Sequence, residues 1–325
     1  MAQPEKPLRF PITRLAPSKW FKQAKGSSIW VAGYQMYKVP DSGLSLRPQL
    51  LDFELIRAAF VYGSFPYLDS SRVQCRYTDD GKIVLQNLSG IESQMPEAAY
   101  LLVLAPFDVD GRQGDEHAVR QRIAEVVGLL VAFEGKNIAF QHLFDNVQEM
   151  RPPGQSVISA VMDLPFTLPA PDLSTNRLQS IVRADVRIAA QPESVNNRIR
   201  LSLRWFEAAA HDADVDAFLK YWIALETLAM PDTTDIQPVN HSLASAYGCS
   251  MQEVGETYHI GRIFNLRSRI VHDGFNARIP SQLLEYVAAV YADVLSEILG
   301  NPCEKRAHKL ITEQSVDLLS IIPAA

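Results

Sequence analysis

The sequence predicts a two-domain protein, with an α+β domain at residues 1–190 followed by an all-α helical bundle at residues 191–325. Two observations predict this division. Short apolar runs beside turn residues, which are typical of strands, occur only before residue 190. After residue 193 apolar residues recur every three or four positions along extended segments, which is the period of an amphipathic helix. The 325 residues suffice for two domains of ordinary size.

Strand and helix patterns alternate in the first domain. Three short apolar runs are strand candidates, at residues 83–85, 99–106 and 156–162. Residues 115–133 place their apolar side chains on one face of a helix. Residues 182–188 alternate strictly between apolar and charged, which predicts a half-exposed strand. The first domain should therefore continue past the proline-rich stretch 152–171 and end near Gln191.

The second domain is expected to contain five helices, at residues 195–211, 214–230, 251–272, 281–299 and 305–321. Met230 precedes a proline, and the residue before proline disfavours the helical conformation, so the second helix should end there. Residues 232–240 are polar and predict a loop. No strand pattern interrupts this part of the chain.

Composition excludes several classes of protein. No apolar run approaches the 18 residues of a membrane-spanning helix, and the first ten residues carry charge and proline where a signal peptide is apolar. The three cysteines lie far apart, which predicts reduced thiols in a cytoplasmic protein. His117 follows Asp115 and Glu116, but no second group with metal-ligand spacing exists. We therefore expect neither a metal nor a cofactor.

The charge is unevenly distributed. Residues 193–325 hold 11 Lys and Arg against 17 Asp and Glu, whereas residues 1–192 hold 20 of each. An acidic domain is poorly suited to general nucleic-acid binding, which depends on phosphate neutralisation. A small local site remains open, because three arginines cluster at positions 262, 267 and 269. Arg198, Arg200 and Arg204 form a second basic group, either a solvated helix face or part of a binding surface.

The segment from Tyr258 to Asn276 carries the most specific pattern. Apolar residues recur at positions 260, 263/264 and 270/271, and Arg267 falls in that row, where an ordinary helix carries an apolar residue. His272 follows after four residues, directly before the helix stop predicted at Asp273-Gly274. Two other Arg–His pairs have similar spacing but lack an inward arginine and a helix stop. The simplest alternative is an arginine paired with a buried carboxylate and a capping histidine.

The pattern NLRSRIVHDG at 265–274 resembles the motif of HEPN domains, in which an arginine precedes a histidine by four to six residues. The helix AFLKYWIALETLA at 217–229 resembles the aromatic-rich helix that precedes this motif in the ApeA-like branch. The resemblance covers about residues 193–300. It implies a small helical bundle that dimerises, and for many members a metal-independent endoribonuclease in antiviral defence or toxin systems. Other members of the family lack activity and serve as binding or dimerisation modules.

The resemblance implies Arg267 and His272 as the catalytic pair, with Ser268 at the position after the arginine where the family has a polar residue. Asp273 departs from the glycine that commonly follows the histidine, which affects the geometry of the loop more than the chemistry. Glu226 is expected to be a structural partner of Arg267 or Arg269 rather than a catalyst.

The resemblance implies a ribonuclease, a hydrolase that cleaves RNA without a metal, and the composition predicts that it is cytoplasmic. The motif supplies one histidine in each chain, and a single imidazole cannot serve as acid and base together. A homodimer through residues 191–325 is therefore expected. Residues 1–190 resemble no family, and they are expected to sense a phage-derived or other trigger. The alternative is a non-catalytic dimerisation or recognition module of the HEPN type.

Overall fold

The computed structural model forms two compact units, one made of residues 1–123 and 140–179 and the other of residues 124–139 and 180–325. The second unit therefore takes in chain from both sides of the 140–179 segment. The structure describes residues 8–11, 20, 28–37, 44–45, 49–54, 56–63, 66–67, 73–77, 83–87, 93–94, 98–107, 114–135, 138–149, 163–166, 170–171, 175–231 and 233–323.

The described strands all lie in the first unit, and there are thirteen of them. They are β1 (Leu8–Pro11), β2 (Ser28–Met36), β3 (Leu44–Ser45), β4 (Gln49–Asp52), β5 (Arg57–Gly63), β6 (Pro66–Tyr67), β7 (Val73–Tyr77), β8 (Ile83–Asn87), β9 (Ser93–Gln94), β10 (Ala98–Phe107), β11 (Phe140–Glu149), β12 (Asp163–Phe166) and β13 (Ala170–Pro171). Five form one antiparallel sheet in the order β11-β2-β10-β5-β4, and the others pair two by two.

The central strand of the five-stranded sheet is β10, which pairs with β2 on one side and β5 on the other. Every residue from Ala99 to Ala105 is buried, which explains why this strand is continuously apolar instead of alternating. The strands predicted at 99–106 and 83–85 are confirmed by β10 and β8. The strand predicted at 156–162 lies outside the described residues.

Ten helices are described. They are α1 (Gly114–Glu134), α2 (Thr175–Ala189), α3 (Glu193–Ala210), α4 (Asp214–Ala229), α5 (Gln237–Tyr247), α6 (Met251–Tyr258), α7 (Ile260–His272), α8 (Ser281–Ile298), α9 (Arg306–Thr312) and α10 (Leu318–Ile321). The helices predicted at 115–133, 195–211, 214–230 and 281–299 are confirmed within two residues at each end. A sheet-containing N-terminal part and a mostly helical C-terminal part are thus both present.

The strand predicted at 182–188 is wrong, because these residues belong to α2. Leu178, Ile181, Ala184 and Ile188 are buried, while Val186 is 63% exposed. Spacings of three and four residues define a helical face, but a seven-residue window is too short to distinguish that period from alternation. The boundary expected near Gln191 follows α2, whereas the second compact unit already includes residues 180–190, together with residues 124–139.

Two further helix assignments and one loop assignment are corrected by the structure. The helix predicted at 251–272 is two helices, because His259 has a left-handed backbone (φ 49°) between α6 and α7. The segment 305–321 also forms two helices, α9 and α10, rather than one. The loop predicted at 232–240 is interrupted at Gln237, where α5 begins. Side-chain capping marks the start of α6, where Ser250 accepts a hydrogen bond from Glu253 N–H.

The second unit is organised around α4, which packs against α3 and α8. Trp222 and Phe218 of α4 are at most 1% exposed. On the neighbouring helices Phe206 stacks on Tyr291 with ring centroids 4.4 Å apart. Such aromatic pairs are rigid and bury a large apolar area. The side chains that α4 directs away from this core are therefore held in fixed positions.

Arg200, in the middle of the basic group on α3, has a structural role. Arg200 Nη1 lies 3.0 Å from Glu125 Oε2 and 3.8 Å from Asp185 Oδ1, and only 16% of its side chain is exposed. The same helix approaches α1 so closely that a Cβ on Gly128 would lie 2.3 Å from the carbonyl oxygen of Leu203. Neither the solvated face nor the binding surface considered from the sequence describes this arginine, because it joins three helices of one unit.

Candidate functional site

A cleft of about 410 Å³ lies between α4, α7 and the segment that follows α4. Its lining residues are Glu226, Thr227, Met230, Thr233, Thr234, Phe264, Arg267, Ser268 and His272. The four residues of α7 are three, one and four positions apart, so they share one face of that helix. The structure thus brings together the three residues predicted to be catalytic, Arg267, Ser268 and His272, with the predicted supporting residue Glu226.

The buried side of α7, which adjoins the cleft-lining residues, holds the helix against the core. Ile260, Ile263 and Leu266 are at most 2% exposed. At the break before α7, the Tyr286 hydroxyl donates to the carbonyl oxygen of Tyr258 over 2.9 Å. These contacts make α7 a separate rigid element that carries the motif residues along the cleft.

The end of α7 has the predicted stop. Asp273 N–H and Phe275 N–H both donate to the carbonyl oxygen of Arg269, at 3.0 and 3.2 Å. Gly274 between them adopts φ +65°, a conformation that favours glycine. The helix therefore ends at His272, and the chain turns immediately after the imidazole.

The prediction of which residues of α7 face the core is wrong by one position. Leu266, not Arg267, continues the buried row of α7, and Val271 is 50% exposed. The side chain of Arg267 is 23% exposed and lies at the margin between the core and the cleft. The helix is rotated relative to the predicted face, which leaves the guanidinium accessible from the cleft.

Glu226 is held by two hydrogen bonds. Its Oε2 accepts from Arg267 Nη2 at 3.2 Å, and its Oε1 accepts from the indole N–H of Trp222 at 2.8 Å. Trp222 is 1% exposed, whereas the side chains of Glu226 and Arg267 are 22% and 23% exposed. The contact predicted between Glu226 and Arg267 is thus present. It joins α4 to α7 at the cleft, and Trp222 fixes the carboxylate from the core side.

His272 is exposed on the last turn of α7. Within the described residues its imidazole has no hydrogen-bond partner, so no second group orients the ring. An imidazole can donate or accept a proton in catalysis, provided that another group supplies the second proton transfer.

The remaining predicted site residues lie outside the cleft lining. The guanidinium of Arg269 stacks on the ring of Phe275 with its carbon 4.0 Å from the centroid, a cation–π contact that stabilises the turn. Asp273 is exposed and caps α7 through its backbone. His259 forms the break before α7, where burial lowers its pKa and the nearby Arg262 lowers it further. These residues shape the ends of the motif helix.

Five residues of the cleft were not predicted from the sequence: Thr227, Met230, Thr233, Thr234 and Phe264. Thr227 follows Glu226 directly, and Phe264 lies one turn before Arg267, so their proximity to the motif was available from helical spacing. Thr233 and Thr234 reach the cleft because the chain folds back between α4 and α5. Nothing in the local pattern indicates that reversal.

The candidates for metal and thiol chemistry are not assembled into sites. Nε2 of His117 lies 2.6 Å from Nε2 of Gln121. Within the described residues no group of three or more His, Cys, Asp or Glu side chains is arranged to hold a metal ion. Cys249 and Cys303, the two cysteines with described side chains, are free thiols. Burial, together with the charge of Asp293, raises the pKa of Cys303 to about 12, which makes it a poor nucleophile.

No described helix combines the length and apolar character needed to cross a bilayer. The sequence and the fold also provide no match to known proteins. Neither a family model nor a curated protein nor a solved structure matches this chain.

Proposed function

We propose that the protein is a metal-independent endoribonuclease of the HEPN type that cleaves RNA in the cytoplasm, in antiphage defence or as a toxin. The observation that carries the proposal is the shared cleft, which is lined by Arg267, Ser268 and His272. These are the residues that the resemblance to HEPN domains implies for catalysis. The defence role rests on that resemblance alone.

The reaction requires three groups. A base takes the proton of the ribose 2′-hydroxyl, and the 2′-oxygen then forms a bond to phosphorus while the bond to the 5′-oxygen breaks. An acid donates a proton to that leaving oxygen, and a cation stabilises the pentacoordinate phosphorane. Imidazole suits either proton transfer, and the planar guanidinium suits the phosphate. The products are a 2′,3′-cyclic phosphate and a 5′-hydroxyl.

Arg267 can contribute while it remains bound to Glu226. A guanidinium has five N–H donors, and the contact with Glu226 uses Nη2 alone. The remaining donors can bind a phosphate oxygen, so Glu226 orients the fork rather than blocking it. The carboxylate also reduces the local positive charge, which should make phosphate binding at this site weak without a second contribution.

In the proposed dimer, a second chain supplies the additional positive charge for phosphate binding. Two copies of residues 191–325 about a two-fold axis place two imidazoles and two guanidiniums around one phosphate, so that one histidine acts as the base and the other as the acid. The exposed position of His272 and the 50% exposure of the adjacent Val271 support a contact surface there. The N-terminal α+β domain is proposed to respond to a phage-derived or other trigger.

A second candidate function is a non-catalytic dimerisation or recognition module of the HEPN type. The pairing of Arg267 with Glu226 favours it, because the carboxylate neutralises the charge that would bind phosphate. In such a module the motif residues stabilise the bundle and mediate contact with a partner, and RNA is not cleaved.

The deciding experiment uses the purified full chain with total RNA in the presence of EDTA. A nuclease of the proposed type cleaves RNA under these conditions and leaves 2′,3′-cyclic phosphate ends. These ends resist alkaline phosphatase until acid opens the ring, whereas 3′-phosphate ends are removed directly. Cleavage that stops on addition of EDTA, or that leaves 3′-hydroxyl ends, contradicts the proposal. A protein that dimerises but leaves RNA intact, with or without phage components, favours the recognition module.

A further inference from the structure

Phe264 lies on the same face of α7 as the motif residues and lines the cleft with them. It precedes Arg267 by three residues, and it is half-buried. Its ring centroid lies 6.1 Å from that of Trp222, with the two planes tilted by 48°. One side of the ring is thus supported by a core residue, while the residue as a whole remains accessible from the cleft.

The spacing along α7 matches a nucleotide chain. Residues three or four apart on a helix have Cβ atoms about 5–6 Å from each other, so Phe264 and Arg267 are neighbours on this face of α7. His272 lies eight residues beyond Phe264, about 12 Å along the axis at about 1.5 Å per residue. An aromatic face, a cation and an imidazole therefore follow one another along one wall, in the order of a base, its phosphate and the reacting group.

Charge alone gives this cleft little affinity for RNA. Residues 193–325 carry an excess of six acidic groups, and the guanidinium of Arg267 is offset by Glu226. Phosphate neutralisation supplies most sequence-independent affinity, so a substrate bound here needs a contribution that does not depend on charge. Stacking of a base on an aromatic side chain strengthens binding by roughly 5- to 150-fold for each base.

The other lining residues fit a base. Met230 offers a polarisable apolar surface, and three threonines offer hydroxyls that can donate or accept a hydrogen bond. A cleft of about 410 Å³ lies within the range of small-molecule sites, about 300–1,000 Å³. That volume has room for one unstacked nucleoside, whereas a base within a duplex remains stacked between its neighbours.

We propose that the cleft is a base-binding subsite in which Phe264 stacks on one base of single-stranded RNA, next to a phosphate at Arg267. This inference rests on the proposed function, in which RNA is the substrate. It adds Phe264 as the residue that supplies the affinity for RNA that charge does not provide. Trp222 supports the ring from behind.

The test is a thermodynamic cycle on the full chain that combines one mutation with one change of ligand. Wild type and Phe264→Leu are titrated with a short 2′-O-methyl oligouridylate, which cannot be cleaved, and with an abasic oligomer of the same length and backbone. Leucine retains apolar packing against Trp222 but removes the aromatic face. We expect Phe264→Leu to weaken binding of the oligouridylate by roughly 5- to 150-fold, with little change for the abasic oligomer. Phe264→Tyr should retain wild-type affinity.

Two outcomes overturn the subsite. Equal losses for both oligomers would mean that Phe264 acts only in packing, and the same conclusion would follow if wild type did not distinguish the two oligomers. Thermal melting of each variant identifies loss of fold, and if Phe264→Leu unfolds, the wild-type comparison of the two oligomers decides the case. Failure of the nuclease proposal gives a different result: RNA remains uncleaved while base-dependent binding persists, which leaves the subsite in place on a recognition module.

Discussion

Glu226 and Arg267 join α4 to α7 across the wall of the cleft, with Oε2 of the carboxylate 3.2 Å from Nη2 of the guanidinium. The ion pair is partly buried, since just over a fifth of each side chain is exposed to solvent. An ion pair in that position stabilises the helix contact and also presents the arginine to a ligand. Both consequences can be measured separately.

Removal of the motif side chains should abolish RNA cleavage without loss of fold. Arg267→Ala and His272→Ala each remove a group that the proposed transition state requires, so we expect cleavage to fall by at least about 10²-fold. Arg278→Ala and His241→Ala provide matched controls, because both residues are exposed and lie outside the cleft lining. Full activity in both motif variants would contradict the assignment.

Glu226→Ala should lower the free energy of unfolding by about 1–3 kcal/mol, because the buried indole N–H of Trp222 loses its acceptor. A fully buried pair would cost roughly 3–5 kcal/mol, but partial exposure of both side chains screens the charge of Arg267. Glu226→Gln should cost less, since the amide oxygen can still accept from Trp222. Urea unfolding of the three proteins measures the difference, and an unchanged midpoint in the alanine variant would show that the pair adds no stability.

Gly128→Ala should destabilise the helical unit by about 1–3 kcal/mol. The added methyl group would lie 2.3 Å from the backbone oxygen of Leu203, and a backbone atom cannot move aside as a side chain can. Gly255→Ala is the matched control: it lies within α6 with nothing within 4 Å of the added carbon, and alanine should stabilise that helix by roughly 0.5–1 kcal/mol. Opposite shifts in melting temperature are therefore expected, and two shifts of the same sign would contradict the close helix contact.

His211 should stabilise the fold only when it is protonated. Its Nε2 lies 2.9 Å from Glu207 Oε1, and this hydrogen bond raises the pKa of His211 above its ordinary value of 6.5, although burial opposes the rise. A raised folded-state pKa contributes stability that is complete below the unfolded pKa and is lost as pH rises through the folded pKa.

We therefore expect His211→Gln to cost more unfolding free energy at about pH 5.5 than at about pH 8.5. His241→Gln, at an exposed position, should show no such difference. Equal costs of His211→Gln at both values would indicate that the histidine and Glu207 do not pair in solution.

The full chain should sediment as a homodimer at micromolar concentration. A single chain offers one imidazole from the motif, and the proposed reaction needs an acid and a base together. Mixed dimers of Arg267→Ala and His272→Ala chains should recover little activity, because a composite site needs both pairs. A monomer that cleaves RNA at full rate would exclude the composite site.

The sequence predicted which motif residues lie close together, but not how the helix faces its neighbours. Arg267 and His272 could be placed together because their spacing and the glycine stop are local properties. The assignment of Arg267 to the buried row failed because Leu266 and Arg267 are adjacent, and a rotation of about 100° per residue separates them. The break at His259 was not predicted, since the residue with the left-handed backbone is a histidine rather than the glycine that usually marks a helix end. Thr233 and Thr234 reach the cleft through a chain reversal that no periodicity describes.

The division of the helical unit into residues 124–139 and 180–325 has a consequence for synthesis on the ribosome. The first piece emerges before the strand β11 that completes the five-stranded sheet. It must wait for α3, which lies against Gly128, and for Arg306 of α9, which donates to the carbonyl oxygens of Ala132 and Phe133. A fragment that begins at residue 191 lacks Glu125 and Asp185, so Arg200 would keep a buried guanidinium without either carboxylate. Any excised version of this unit must therefore retain residues 124–139, joined to residue 180 by a replacement for the intervening segment.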